Sequence, residues 1–305
     1  MNVETLDPIA ATGLGQELPC WCRQGQWAEY FRTKDFGLLR CSECGCFRID
    51  PPAVSAAEEL ADFYTGYYQG KVQAVPAATA VGRTSRYWRV VDKHPALTRV
   101  GEAAVDIGCG DGTLCAELKA SGWRRVIGID MSKGRIARAR KSHPEVTFFD
   151  VPLQDSGEPD NNLDLAILDN VIEHVPDPVE QLVAIRKKLR NGASLVLMTP
   201  NMKSGNFRLL GRRWTQELAP HVHLFLFTPA SLSRLCEMAG FTVEEAGSFH
   251  LAPYSIGKWF SRLFAGELKG ALWTAVQEAG SIFSRLIGSG PMVYVVATLH
   301  MPGER

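Results

Sequence analysis

From residue 103 onward, short apolar runs alternate with longer stretches of helical periodicity. Ala103-Ala104-Val105-Asp106-Ile107 is apolar at four of five positions and runs into Gly108-Cys109-Gly110-Asp111-Gly112. Such a run predicts a strand buried on both faces, a tight glycine turn, and a helix that starts at Thr113. The rhythm then repeats. Arg125 to Asp130 reads as a second strand, and Ser132 as the cap of a helix that runs to Ser142. Val146 to Asp150 and Leu163 to Asp169 read as the third and fourth strands. Pro178 opens a helix to Leu189, since proline suits the first helical turn. Asn191-Gly192 ends it, and Ala193 to Thr199 is the fifth strand. Phe241 to Ser248 and the alternating Pro291 to Leu299 read as the sixth and seventh. Strands interleaved with helices predict an α/β domain with a parallel sheet, which binds ligands at the carboxyl ends of its strands.

The flanking segments have a different texture. Arg83 to Leu97 has the spacing of one amphipathic helix, with Tyr87, Val90, Val91 and Leu97 apolar. Arg83 and Arg86 near its start could reach an anionic ligand. Residues 53–81 contain Phe63, Tyr64, Tyr67 and Tyr68, followed by an Ala-rich stretch without periodicity. They read as an aromatic lid and linker, or as a helix packed by its aromatic face. Residues 251–290 carry an apolar pattern interleaved with Lys258, Arg262, Lys269 and Arg285. That pattern reads as a helical insertion: a cap over the domain, a dimer face, or a peripheral membrane contact.

Composition narrows the picture. Thirty-three basic residues balance thirty-three acidic ones. A net charge of zero gives no bulk attraction to nucleic acid. The first eleven residues lack a basic leader, and no apolar run approaches bilayer length, so a cytoplasmic protein is expected. Five of the eight cysteines lie between Cys20 and Cys46. Cys20-Trp21-Cys22 and Cys41-Ser42-Glu43-Cys44-Gly45-Cys46 read as two knuckles presenting Cys20, Cys22, Cys41 and Cys44 to a structural zinc ion, with a hairpin between them. The first knuckle is one residue short, and Cys46 could substitute for one ligand. Residues 1–52 thus form a small zinc-ribbon-like module.

The ligand of the glycine turn follows from its acids. A helix N-terminus favours an anion, and Asp130 stands twenty-two residues after Gly108, where an acid bonds ribose hydroxyls. Yet position 113 is Thr, where a dinucleotide fingerprint has its third glycine. Asp106 and Asp111 oppose a pyrophosphate and suit a ligand carrying positive charge. S-adenosylmethionine, with a sulfonium, an ammonium and no phosphate, fits.

With these residues the chain resembles a class I S-adenosylmethionine-dependent methyltransferase over residues 82–300. Asn170-Val171-Ile172-Glu173-His174-Val175-Pro176-Asp177-Pro178 is similar to the Glu-His stretch after strand four in the ubiquinone-biosynthesis and sugar methyltransferase branch. Leu189 to Ala193 stands where that branch has Leu-(Lys/Arg)-Pro-Gly-Gly, departing at Asn191 and Ala193, and Thr199-Pro200-Asn201, Phe227-Thr228-Pro229 and Ala239-Gly240-Phe241 match the same branch. The cysteine module resembles the zinc-binding N-terminus of nucleotide-sugar C-methyltransferases. The resemblance implies a Rossmann-like sheet of seven strands, the last antiparallel. It implies that Gly108, Gly110 and Gly112 border the cofactor's methionine and ribose, and that Asp106 meets the ammonium. Asp130 would take the ribose hydroxyls, Met131 would flank the adenine, Asp150 and Val151 would sit at its edge, and Asn170 would lie beneath the methionine. His174 is the candidate general base, because imidazole titrates near working pH, and Glu173 would orient it or carry substrate. Tyr64, Tyr67, Tyr68, His221 and His223 are candidate acceptor contacts. The expected reaction is methyl transfer to an oxygen or carbon of a small polar acceptor, a sugar or glycan intermediate. A quinone or polyketide O-methyltransferase is the alternative. So is, from another class, an interaction protein whose domain binds cofactor without turnover. Oligomeric state stays open.

Overall fold

A computed structural model describes residues 20–50, 82–213, 218–220, 222–250, 276 and 279–300. Tyr64, Tyr67, Tyr68, His221 and most of the 251–290 insertion lie outside the described residues.

The larger sheet has seven strands. In chain order they are β4 (Ala103–Ile107), β5 (Arg125–Ile129), β6 (Thr147–Phe149), β7 (Leu163–Asp169), β8 (Leu189–Pro200), β10 (Thr242–Phe249) and β11 (Met292–Thr298). Their spatial order is β10-β11-β8-β7-β4-β5-β6. β11 runs antiparallel to both neighbours, and the other pairings are parallel. The expected seven-stranded methyltransferase sheet is therefore present, with its last strand inserted in reverse. Alternation sends Val105, Ile107, Ile127, Ile129 and Leu168 into one core, and Ala104, Val126, Leu165 and Ile167 into the other. Burying both faces explains why these strands are apolar throughout.

Three helices cover the second face: α1 (Tyr87–Val91), α2 (Thr113–Ala120) and α3 (Lys133–Ser142). On the first face lie α4 (Pro178–Lys188) and α6 (Pro229–Met238), with α5 (Gly205–Leu210) after β8. Asp177 accepts the Glu180 N–H and caps α4, behind the proline expected at its first turn. Thr228 and Ser231 form a reciprocal capping box on α6.

Two expectations need correction. The single helix over Arg83 to Leu97 is instead the short α1 and a separate 3₁₀ turn over Pro95–Thr98. Pro95 disfavours helix at His94. Upstream, the Thr84 and Ser85 N–H groups are taken by the Glu117 carboxylate rather than by a helical turn. The fifth strand begins at Leu189 rather than Ala193, because the Gly192 N–H bonds the Leu299 carbonyl at 2.8 Å and carries pairing through the break.

The cysteine segment forms a second, antiparallel sheet of β1 (Trp27–Arg32), β2 (Gly37–Cys41) and β3 (Phe47–Asp50), completed by the two-residue β9 (Phe225–Leu226). β3 pairs with β9 through Phe47–Leu226 and Arg48–Phe225. Cys20, Trp21, Cys22, Cys41, Cys44 and Cys46 belong to the same buried cluster as Val105, Leu232 and Val295. The module therefore packs into the core beneath the large sheet.

At the amino end of the sheet, Arg125 grips Glu158 in a fork of 2.6 and 2.7 Å, and Asn162 adds a 2.8 Å bond. Burial pushes the Glu158 carboxyl up, but these donors hold it below its ordinary value. A depressed carboxylate stabilises the fold above its unfolded pKa of about 4.3, and that stabilisation is lost as pH falls through the lower folded value. Replacing Glu158 by Gln is expected to cost about 1–2 kcal/mol at pH 7. Denaturant unfolding should show the gap between wild type and variant closing below about pH 4.

Candidate active site

The glycine turn is built by two backbone donors and one carboxylate. The Gly108 and Cys109 N–H groups both donate to the Ile129 carbonyl, at 2.7 and 2.9 Å. They lock the end of β4 to the end of β5. Asp130 then takes the Gly110 N–H at 3.0 Å on one oxygen and the Ser132 N–H at 2.9 Å on the other. Gly108 has φ +79°, and a Cβ there would lie 2.3 Å from a methyl of Val171. Backbone conformation and space therefore both require glycine. Gly110 and Gly112 also have positive φ, and Arg135 stands over Gly110 and 3.6 Å from Asp130.

Around this turn two apolar side chains remain in solvent. Met131 after β5 is 46% exposed and Val151 after β6 is 37% exposed. Large apolar groups so placed offer a flat ligand something to lie between. Asp150 beside them pairs with Arg140 at 3.5 Å. Asp111 pairs with Arg138 at 3.0 Å, so its charge is already met within the protein.

Asp106 behaves differently. Burial, with repulsion from Asp169 and Asp130, pushes its carboxyl up to about 8. Its neighbour is the Cys115 thiol at 3.7 Å. Burial also raises Asp169, although Arg86 opposes the rise from 2.9 Å. The strand ends thus hold three crowded acids, an environment that a cation would relieve. Asn170 closes the end of β7 at φ +55°, and its N–H reaches the Met198 carbonyl at 2.9 Å. Its amide oxygen, turned toward Arg86, accepts from that guanidinium at 3.0 and 3.1 Å. Arg86, read from sequence as reaching an anionic ligand, is held by Asp169 and Asn170.

Glu117 is a residue that the sequence reading missed. Its buried carboxylate accepts from the Thr84 N–H and hydroxyl, the Ser85 N–H and the Trp88 indole. It thereby fixes α1, and with it Arg86, against α2. The available signal was an acid between Leu114 and Leu118, on the apolar side of α2.

Glu173 and His174 lie on a 3₁₀ turn over Ile172–His174, just past β7. His174 Nδ1 meets the Val222 carbonyl at 2.9 Å and must donate to it, which leaves the lone pair on Nε2. Burial lowers His174 to about 4. The orienting group expected from sequence was Glu173; the contact made to His174 Nδ1 is instead a backbone carbonyl forty-eight residues away. Glu173 is fully buried and faces His223, at 4.0 Å. Burial pushes its carboxyl up to about 8. The His174 and His223 rings lie 4.8 Å apart, centre to centre.

The four expected cysteines converge. Cys20 and Cys44 sulfurs are 3.5 Å apart, Cys22 and Cys41 3.6 Å, and all four lie within 4.8 Å of one another. Sulfurs around a tetrahedral zinc ion, with bonds of about 2.3 Å, stand about 3.8 Å apart, so the set fits that ion. Hydrogen bonding between them pushes the Cys20 thiol up and pulls the Cys44 thiol down to about 2. Cys46 neighbours Cys44 but is not one of the four, and its thiol donates to the Phe47 and Leu226 carbonyls, at 3.4 Å each.

Comparison with known proteins agrees with this geometry. Residues 82–246 match the methyltransferase domain family. A ubiquinone biosynthesis O-methyltransferase of Aeromonas salmonicida is 30% identical over 176 residues, covering 54% of this chain and 73% of that protein. An S-adenosylmethionine-dependent methyltransferase of Mycolicibacterium smegmatis is 32% identical over 172 residues, covering 54% and 63%. Two solved structures share the fold. One is from the Haloferax volcanii complex of a methyltransferase with a methyltransferase activator (TM-score 0.52, 18% identity, 71% of this chain and 94% of that one). The other is an S-adenosylmethionine-dependent methyltransferase from Thermotoga maritima (TM-score 0.50, 18% identity, 80% and 99%). Among the described residues, no helix is long and apolar enough to cross a membrane. The chain belongs to the methyltransferase domain family and is a class I S-adenosylmethionine-dependent methyltransferase.

Proposed function

We propose that this methyltransferase acts on an oxygen or carbon of a small polar acceptor, a sugar or glycan intermediate. The observation that carries the cofactor half of this reading is the Asp130 bracket on the glycine turn, flanked by exposed Met131 and Val151. In this reading Gly108, Gly110 and Gly112 admit the methionine and ribose, and Asp130 takes the ribose hydroxyls. Met131 and Val151 hold the adenine, with Asp150 at its edge. Asp106 and the crowded acids favour the sulfonium and ammonium, and Asn170 lies beneath the methionine. S-adenosylmethionine supplies an activated methyl group with its own leaving group, so alignment accounts for much of the rate. His174, with its lone pair on Nε2, takes the acceptor's proton. The fit of Cys20, Cys22, Cys41 and Cys44 to zinc supports a structural metal in the N-terminal module, and the likeness of that module to nucleotide-sugar C-methyltransferases supports the sugar. The relatives named ubiquinone biosynthesis O-methyltransferases favour a second reading, a phenolic acceptor.

Incubating the protein with methyl-labelled S-adenosylmethionine and separate panels of nucleotide sugars and hydroxyquinols distinguishes them. Label in a sugar is expected, and label confined to a quinol overturns the sugar reading. In Gly108→Ala and Asp130→Ala, which disturb the glycine turn itself, calorimetric affinity for S-adenosylhomocysteine is expected to drop at least tenfold, about 1.4 kcal/mol. Metal analysis of the purified protein is expected to give one zinc per chain, lost together with folding of the module in Cys44→Ser. A protein that folds without metal sinks the zinc assignment.

A further inference from the structure

The His174 ring takes its direction from a segment that is itself held from elsewhere. Its own 3₁₀ turn fixes its backbone, because the His174 N–H bonds the Val171 carbonyl at 2.9 Å. The ring is fixed by the Val222 carbonyl, which receives the Nδ1–H at 2.9 Å. Val222 and His223 both bond back to the Ala219 carbonyl, and Ala219 is held at φ +37°. A non-glycine residue at positive φ persists only where its surroundings impose it. This turn therefore depends on support from outside.

That support comes from the cysteine module. The Leu224 N–H bonds the Glu173 carbonyl at 2.9 Å, and the Leu224 carbonyl receives the Ile49 N–H at 3.4 Å. Phe225 and Leu226 follow as β9, and among the described residues the strand beside them is β3. A strand of two residues has no stability of its own. Side chains of the module grip it as well. Trp27 stacks on Phe225 with ring centres 6.5 Å apart, and Trp21 lies 6.4 Å from Phe227. The Arg48 guanidinium stands over the Trp27 ring at 5.0 Å, and the Cys46 thiol reaches the Leu226 carbonyl at 3.4 Å. Just past β8, the Met202 N–H bonds the Phe227 carbonyl at 2.9 Å, but at the end of β9 away from Val222. The end nearer His174 rests on the module and on the Glu173 carbonyl.

We propose that the cysteine module is a positioning element for His174: β3, with Trp27 and Cys46, holds β9 so that the Val222 carbonyl meets the imidazole. The module then does more than complete its own fold. It selects the tautomer whose lone pair lies on Nε2, the form able to take a proton from an acceptor. That consequence rests on the reading of His174 as base; the positioning does not.

The test follows labelled histidine by NMR in the full chain, with His174→Gln to assign the ring. The wild type is expected to show the Nδ1–H tautomer and to titrate at about 4, because the ring is buried. Glu173 and His223, the titratable groups grouped with this ring among the described residues, are kept in every variant. In Trp27→Ala and in Cys46→Ala the His174 midpoint is expected to rise above about 5, toward the ordinary value of about 6.5, with both tautomers present. Trp27→Phe and Cys46→Ser are expected to restore the wild-type behaviour. Circular dichroism, metal content and S-adenosylhomocysteine affinity should be retained, and the Trp27 pair decides the matter if Cys46→Ala loses metal or fails to fold. An unchanged tautomer and midpoint in folded Trp27→Ala, or an equal rise in Trp27→Phe, overturns the proposal. If the midpoint responds as expected while His174→Gln transfers methyl label as fast as wild type, the positioning stands and the base reading falls.

Discussion

The Asp130 carboxylate is the interaction on which the glycine-turn end of this protein depends. It stands at the end of β5 and spends both oxygens on backbone donors, one from the glycine turn after β4 and one from the turn into α3. A charged acceptor bonded to N–H groups makes a stronger bond than a neutral one. The turn also has few other restraints, since its glycines bring no side chains to pack. Without the bracket, only backbone bonds such as those to the Ile129 carbonyl would offset the conformational entropy of three residues with positive φ. With it, the Gly108 backbone closes on Val171, and the ends of β4, β5 and β7 are brought into one rim.

A second dependence runs through buried acid. Glu117 gathers four donors from the entry to α1, so the helix is placed by one carboxylate rather than by a long apolar face. That placement delivers Arg86 to Asp169 and Asn170. Arg86 in turn offsets part of the charge on Asp169, as Arg135 does for Asp106 and Asp130. The three acids thus combine crowding that favours a cation with two arginines that offset part of their mutual repulsion.

The sheet and the glycine turn were legible in the sequence because their signals are local. A strand buried on both faces announces itself over five residues, as at Ala103–Ile107, and a left-handed turn announces itself by glycine. The cysteine quartet was legible for the same reason: each pair is nearly contiguous and of one residue type. What escaped depends on partners distant in sequence. Nothing near His174 says that its imidazole answers to the Val222 carbonyl, or that Glu173 faces His223 rather than its neighbour. β9 is two residues long and has no periodicity to detect; it is a strand only because β3 lies beside it. The helix after Arg83 was overread because its apolar spacing is genuine, while Pro95 and the pull of Glu117 act on the backbone.

The join between β3 and β9 also sets an order of assembly. The Cys46 thiol bonds a carbonyl 180 residues further along the chain. A ribosome delivers the cysteine hairpin first, yet the strand that completes its sheet emerges only after β4 to β8 have been made. Pairings of such long sequence separation form late, because chain closure must precede their gain. The amino-terminal hairpin therefore waits with an unpaired edge through most of synthesis, and a metal ion gripping its four thiolates early would keep that edge in register until the remainder of the protein arrives.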